Sequence, residues 1–160
     1  MHSHIIQITT SPIDIDNYIQ VGDFEQGDYS FYDYCCEISN DDRNDVITRL
    51  ATNVLPSGMF TLVDANSLQY NGGIQEWRKE WATQIQARAA AITENNVMDW
   101  IGARYSLQYL LDNPLDTGNR FCTEDYPTTE AETSEGLMRM INDLQPGDKL
   151  YIGGIISFHY

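Results

Sequence analysis

Hydrophobic positions along this chain alternate between two periods. Residues 4–10 (HIIQITT) form a short β-branched run that Pro12 ends, which predicts a strand. Residues 11–30 carry Pro12, Gly22, Gly27 and alternating acids and aromatics, and read as an ordered loop. Residues 31–38 (FYDYCCEI) return to a period of two. Tyr32, Tyr34, Cys36 and Ile38 fall on one face, with Asp33 and Glu37 on the other, as in a half-buried strand.

The period then lengthens. Ser39 is placed to cap a helix whose first-turn acids suit the positive end of its dipole. Val46, Ile47, Leu50, Ala51 and Val54 share its inner face, and Pro56 and Gly58 stop it. Residues 59–69 alternate again, with Phe60, Leu62 and Leu68 on one side. They predict a second long strand that leaves through Asn71-Gly72-Gly73. Residues 74–92 give the clearest helical stripe: Ile74, Trp77, Trp81, Ile85, Ala89 and Ile92. Residues 97–111 predict a second helix with Val97, Trp100, Ile101, Tyr105, Leu107 and Leu111 on a broad apolar surface. The two together form a helical hairpin. A short strand is expected at residues 119–123. Thr129 and Glu132 have the spacing of a capping box, opening a helix that carries Leu137, Met140, Ile141 and Leu144. Residues 150–158 close the pattern as a strand with Ile152, Ile156 and Phe158 facing one way. Gly153-Gly154 inside it marks a bulge or a close backbone approach. Residues 5–8 are expected to pair with this last strand.

Strands and helices in this order predict an α+β fold, with residues 1–160 as a single globular domain. Its mixed or mainly antiparallel sheet has about five strands, and its helices, including the hairpin, pack mainly on one face. A hydrophobic content of 42% and an aromatic content of 11% are too high for a disordered acidic tail, so the charge must lie on a folded surface.

That charge is large and uneven. The chain has 24 Asp+Glu against 9 Lys+Arg, a formal net charge of −15. Residues 1–45 hold ten acids and one base (Arg43), residues 46–111 five of each, and residues 112–148 nine acids and two bases (Arg120, Arg139). Two negative arms around a neutral middle suit a basic partner and oppose direct nucleic-acid binding. No stretch approaches the roughly 20 apolar residues of a membrane span. Residues 1–10 lack the bases and apolar core of a signal peptide, and three cysteines do not suggest a disulfide framework. The expectation is a cytoplasmic protein without a membrane partner.

Motifs for chemistry are sparse. The chain has no GxSxG, no P-loop and no GxGxxG, so no catalytic residue and no cofactor are assigned. His2, His4 and His159 are weak candidates for a metal site, since the expected pairing of first and last strands brings them near one another. Asp14, Asp16 and Glu25 match positions 1, 3 and 12 of an EF-hand loop, but Ile19 occupies the position that needs glycine. The segment of residues 23–37 interleaves acids and rings. Carboxylates pair with guanidinium, and rings offer cation–π faces. Asp23, Glu25, Asp28, Tyr29, Tyr32, Asp33 and Glu37 are therefore the expected partner-binding residues. In size and charge alone the chain resembles immunity proteins that block nucleases and antirestriction proteins that imitate DNA. This implies a non-catalytic inhibitor of a basic, nucleic-acid-handling partner. The alternative is an enzyme or small-ligand binder with a pocket between the sheet and helices bearing Trp77, Trp81 and Trp100.

Overall fold

A computed structural model describes residues 2–123 and 131–160, with every side chain of these except that of His2. The architecture is α+β, built on a six-stranded sheet. Strand β6 (Lys149–His159) is its spine. Along one edge it pairs antiparallel with β1 (His2–Thr9), setting Ile5 opposite Ile156 and Ile6 opposite Ile155. Its other edge is shared. β4 (Ser67–Tyr70) takes the first residues and β2 (Tyr34–Glu37) the last, both antiparallel. β3 (Phe60–Asp64) forms a hairpin with β4, and β5 (Arg120–Cys122) lies parallel to β1. The strand order is β3-β4-β6-β1-β5, with β2 also on β6.

The two glycines of β6 make the expected bulge. Between the pairs Ile6–Ile155 and Ile8–Ile152, the single residue Gln7 faces both Gly153 and Gly154. The extra residue reverses the alternation of β6. Leu150, Ile152 and Ile155 therefore enter one core, while Ile156 and Phe158 enter the other. A uniform period of two placed Ile152 with Ile156 and Phe158, and the bulge corrects this.

The sheet is covered differently on its two sides. Helix α1 (Asn40–Arg49), the π-helical turn Leu50–Val54 and α4 (Ser134–Ile141) bring Val46, Ile47, Leu50, Leu137, Met138 and Ile141 onto Ile6, Ile8, Leu150 and Ile152. The expected cap of α1 is present: the Ser39 hydroxyl accepts from the Asp42 N–H at 3.1 Å. On the opposite side no helix is needed. Ile19, Phe24 and Tyr32, from the irregular segment before β2, pack on Ile5, Ile156 and Phe158 together with Cys35, Cys122 and Ala131. Gln7 fastens this segment to the bulge. Its buried Oε1 accepts from Ile19 N at 3.1 Å and Gly154 N at 2.9 Å, and its Nε2 donates to Asn17 O at 3.0 Å.

Other elements depart from the periodic reading. Residues 59–69 form a hairpin rather than one strand. The Asp64 carboxylate accepts from Asn66 N and the Ser67 hydroxyl, which turns the chain over two residues and holds that carboxyl below its ordinary pKa. In residues 31–38 only Tyr34–Glu37 is strand. Cys35 points inward, whereas Tyr34 and Cys36 are exposed. Tyr32 belongs to the loop before it, so the two-residue alternation does not run across Asp33. Helix α2 (Ile74–Ala90) matches its stripe, but its partner α3 (Ala103–Asp112) starts six residues later than the pattern suggests. Gly102, at φ 133°, breaks the run, and Trp100 and Ile101 lie outside the helix. The helical hairpin therefore stands, with a longer connection. Thr129 and Glu130 of the expected capping box lie outside the described residues. Glu132 bridges to Phe121, and α4 begins only at Ser134 after Thr133. Among the described residues no helix is long and apolar enough to cross a membrane.

The three cysteines are thiols with different access. Cys35 and Cys122 are buried and Cys36 is exposed, and burial together with the neighbouring Cys36 raises the Cys35 pKa. An aromatic disulfide reagent at mild alkaline pH should therefore titrate one thiol rapidly in the native protein and three after denaturation. Rapid native reaction of two thiols would contradict the burial of Cys35 and Cys122.

Candidate functional site

The acid–aromatic segment divides into inner and outer parts. Gln26 forms a bridge with Tyr32 and accepts from Cys35 N at 2.5 Å through Oε1. Gly27, at φ 112°, donates to Tyr32 O, and this closes a tight loop. Phe24, Tyr32 and Phe158 then meet edge to face beneath it. Tyr32 is 0% exposed, and its hydroxyl accepts from Ala131 N at 3.0 Å. It is a core residue and not a contact residue, which corrects its place among the expected partner-binding positions. Asp23 is half-buried, and its carboxylate accepts from Gln20 N at 2.7 Å, closing the turn Val21–Asp23.

The remaining expected positions lie outward. Glu25, Asp28, Tyr29, Asp33 and Glu37 are exposed, and Tyr29 at the loop tip is fully so at 104%. Asp33 meets His159 Nδ1 at 3.0 Å, and the His159 ring lies flat on Tyr34 at 5.4 Å between centroids. Phe31 stacks on Tyr160 nearby. The structure thus brings Asp33, Tyr34, Phe31 and the last two residues together at one end of β6.

Several arginines contact groups other than carboxylates. Arg43, the one base of residues 1–45, turns inward beneath Tyr18. It donates to Ile152 O at 3.1 Å, Gly153 O at 2.8 Å and Asn66 Oδ1 at 2.6 Å. Burial lowers its pKa from a value so high that it stays charged. Arg78 donates to Asn142 and Arg88 to Ser106, while Arg120 lies 4.2 Å over the Phe31 ring. Among the described residues Arg139 forms an ion pair with Glu135, and His159 contacts the Asp33 carboxylate.

Of the three metal candidates, the side chain of His2 lies outside the described residues. His2 pairs in register with His159, as expected of antiparallel first and last strands, and His4 lies opposite Ser157. Among the described residues no group of three His, Cys, Asp or Glu side chains is arranged to hold a metal ion. The EF-hand-like run folds instead as two short 3-10 turns, Ile15–Asn17 and Val21–Asp23.

The three Trp rings of the hairpin have different surroundings. Trp77 and Trp81 stack on each other at 5.1 Å, and Trp81 Nε1 donates to Leu110 O at 3.2 Å, so these rings tie α2 to α3. Trp77 borders a hollow of about 510 Å³ with Met59 and Pro56. Trp100 is elsewhere, at the hairpin tip, where Met98, Trp100 and Ile101 are 81%, 91% and 84% exposed.

A cleft that periodicity does not foretell opens where α3 meets β5. It encloses about 390 Å³ between the rings of Phe31, Tyr105, Tyr109 and Tyr160, with Asp112, Asn113, Asn119 and Arg120 among the polar groups. Its floor is braced. Buried Asn113 donates through Nδ2 to the Tyr109 hydroxyl at 3.0 Å and to Thr117 O at 2.7 Å, and its Oδ1 accepts from the Ser134 hydroxyl at 2.6 Å. Burial raises the Tyr109 pKa, so its phenol stays protonated at neutral pH. The one signal in the sequence was Tyr105 and Tyr109 at a four-residue spacing, which puts both rings on one face of α3. No protein-family model matches this chain, and no curated protein or solved structure matches it either.

Proposed function

We propose that this is a cytoplasmic, non-catalytic binding protein whose carboxylate surface takes a basic protein partner, as an immunity protein or a DNA mimic does. The observation that carries this reading is where the charges point. Glu25, Asp28 and Glu37 face water with no ion pair among the described residues. Arg43, Arg78, Arg88 and Arg120 contact carbonyls, side-chain amide and hydroxyl groups and a ring rather than these carboxylates, and acids outnumber bases 24 to 9. An acidic surface left uncompensated in this way draws a cationic partner by long-range attraction and makes association salt-sensitive. Exposed Tyr29 and Tyr34 add faces for guanidinium groups. The tip residues Met98, Trp100 and Ile101 offer an apolar anchor flanked by Glu94 and Asp99, and large exposed patches of this kind mark interaction sites. Three thiols and no disulfide suit a reducing compartment.

Affinity capture from host lysate at low and moderate salt tests the reading. The unaltered protein should retain a protein of high isoelectric point that is lost as salt rises. Combined Glu25→Lys, Asp28→Lys and Glu37→Lys should reduce retention at least tenfold by slowing association. Asp23 is left alone because its carboxylate closes a turn. Trp100→Ala should keep stability within about 0.5 kcal/mol, as expected of an exposed site, and should shorten the lifetime of the complex. Equal retention by the charge-reversed protein, or capture of an acidic partner only, would defeat the proposal.

A further inference from the structure

The cleft between α3 and β5 has a chemistry of its own, apart from the acidic surface. Four aromatic rings from distant parts of the chain (Phe31, Tyr105, Tyr109 and Tyr160) turn partly exposed faces toward one space. Rings gathered around a concavity favour a flat apolar guest. A volume of about 390 Å³ lies toward the small end of ligand pockets, which run from roughly 300 to 1,000 Å³. It has room for one aromatic ring system.

Among the described residues the cleft also presents one charge of each sign. Arg120 is fixed by the pairing of β5 with β1 and rests on Phe31. Among the described residues no carboxylate lies within ion-pair distance of it. Asp112 is the last residue of α3, so its carboxylate sits at the negative end of the helix dipole. Gln108 Nε2 donates to both of its oxygens, at 2.9 and 3.0 Å, and holds it in place. A cation beside Asp112 would gain from the carboxylate and from the helix end together.

We infer that this cleft binds a free aromatic amino acid, with its ring among the four aromatic side chains, its carboxylate on Arg120 and its ammonium on Asp112. A zwitterion satisfies both charges at once. An aromatic acid or an aromatic amine satisfies only one.

The test is titration with L-tryptophan and L-phenylalanine, followed by calorimetry and saturation-transfer NMR at neutral pH. Tryptamine, which lacks the carboxylate, and indole-3-acetate, which lacks the ammonium, serve as comparators. L-tryptophan should bind at least tenfold more tightly than either comparator, since each charged contact is worth at least that factor. Arg120→Gln should weaken L-tryptophan and indole-3-acetate at least tenfold and leave tryptamine unchanged. Asp112→Asn, at an exposed position that tolerates change, should weaken L-tryptophan and tryptamine and spare indole-3-acetate. Its result stands even if the Arg120 variant fails to fold. Tyr105→Ala should weaken all of them. The inference is overturned if neither amino acid binds, if the comparators bind as tightly as L-tryptophan, or if Asp112→Asn weakens all three indoles alike. Any of these results would leave the basic-partner proposal untouched, because that rests on different residues.

Discussion

Replacing Gln7 by leucine should lower the stability of the fold by about 4 kcal/mol. Leucine fills similar space, so the loss comes from hydrogen bonding and not from a cavity. Gln7 is completely buried and serves three backbone groups: it accepts from Ile19 N and Gly154 N and donates to Asn17 O. Each group left without a partner away from water costs roughly 1–3 kcal/mol. Equilibrium unfolding in urea reads this as a lower midpoint at an unchanged slope. The effect is a large share of the roughly 5–15 kcal/mol that stabilises a typical domain. A loss below about 1 kcal/mol would mean that these groups find water, and that Gln7 does not fasten the segment before β2 to the bulge.

The second large effect is expected at the glycine that faces it. Gly154→Ala should cost about 3 kcal/mol, the upper part of the range for overpacking a filled core. A Cβ there would come within 2.6 Å of Ile19 O and 2.9 Å of Ile19 N, and backbone cannot swing aside as a side chain does. The neighbouring glycine provides an internal comparison. A Cβ on Gly153 would overlap the end of the Gln7 side chain and crowd Ile13. Gly153→Ala should therefore be partly relieved in a Gln7→Ala background, whereas Gly154→Ala should gain nothing from it. A double-mutant cycle in urea separates the two. Equal relief at both positions would show that Ile19 moves freely and that the segment is loosely held.

Why some elements could be read from the chain and others not follows from their physics. β1 and β6 are dense in isoleucine, and the two glycines of β6 mark its irregularity in the sequence itself. Ser39 capped α1 as its type and place required. The β3–β4 hairpin was hidden because its turn, Ala65-Asn66, contains neither glycine nor proline. The working part is the Asp64 side chain, which bonds forward to Asn66 and Ser67. At Val97, Trp100 and Ile101 an apolar helical spacing persisted where there is no helix, and Gly102 was the overlooked sign. Among the candidate binding residues, composition marked a surface that is indeed acidic at Glu25, Asp28, Asp33 and Glu37. It could not tell Tyr29 at the loop tip from Tyr32 in the core, because both alternate with acids in the same way. The aromatic cleft left almost no trace, since positions 31, 105, 109 and 160 meet only through the tertiary fold.

The central place of β6 also bears on how the protein is made. β1, β2 and β4 all hydrogen-bond to a strand that is synthesised after every one of them. Pairing His2 with His159 joins positions separated by almost the whole described length. During translation the isoleucine-bearing β1 must wait, with the edge that faces β6 unpaired, until β6 has been made. Contacts of such long range form slowly, and unpaired edges invite association between nascent chains. β1 is thus the strand that stays open longest before its main partner is made.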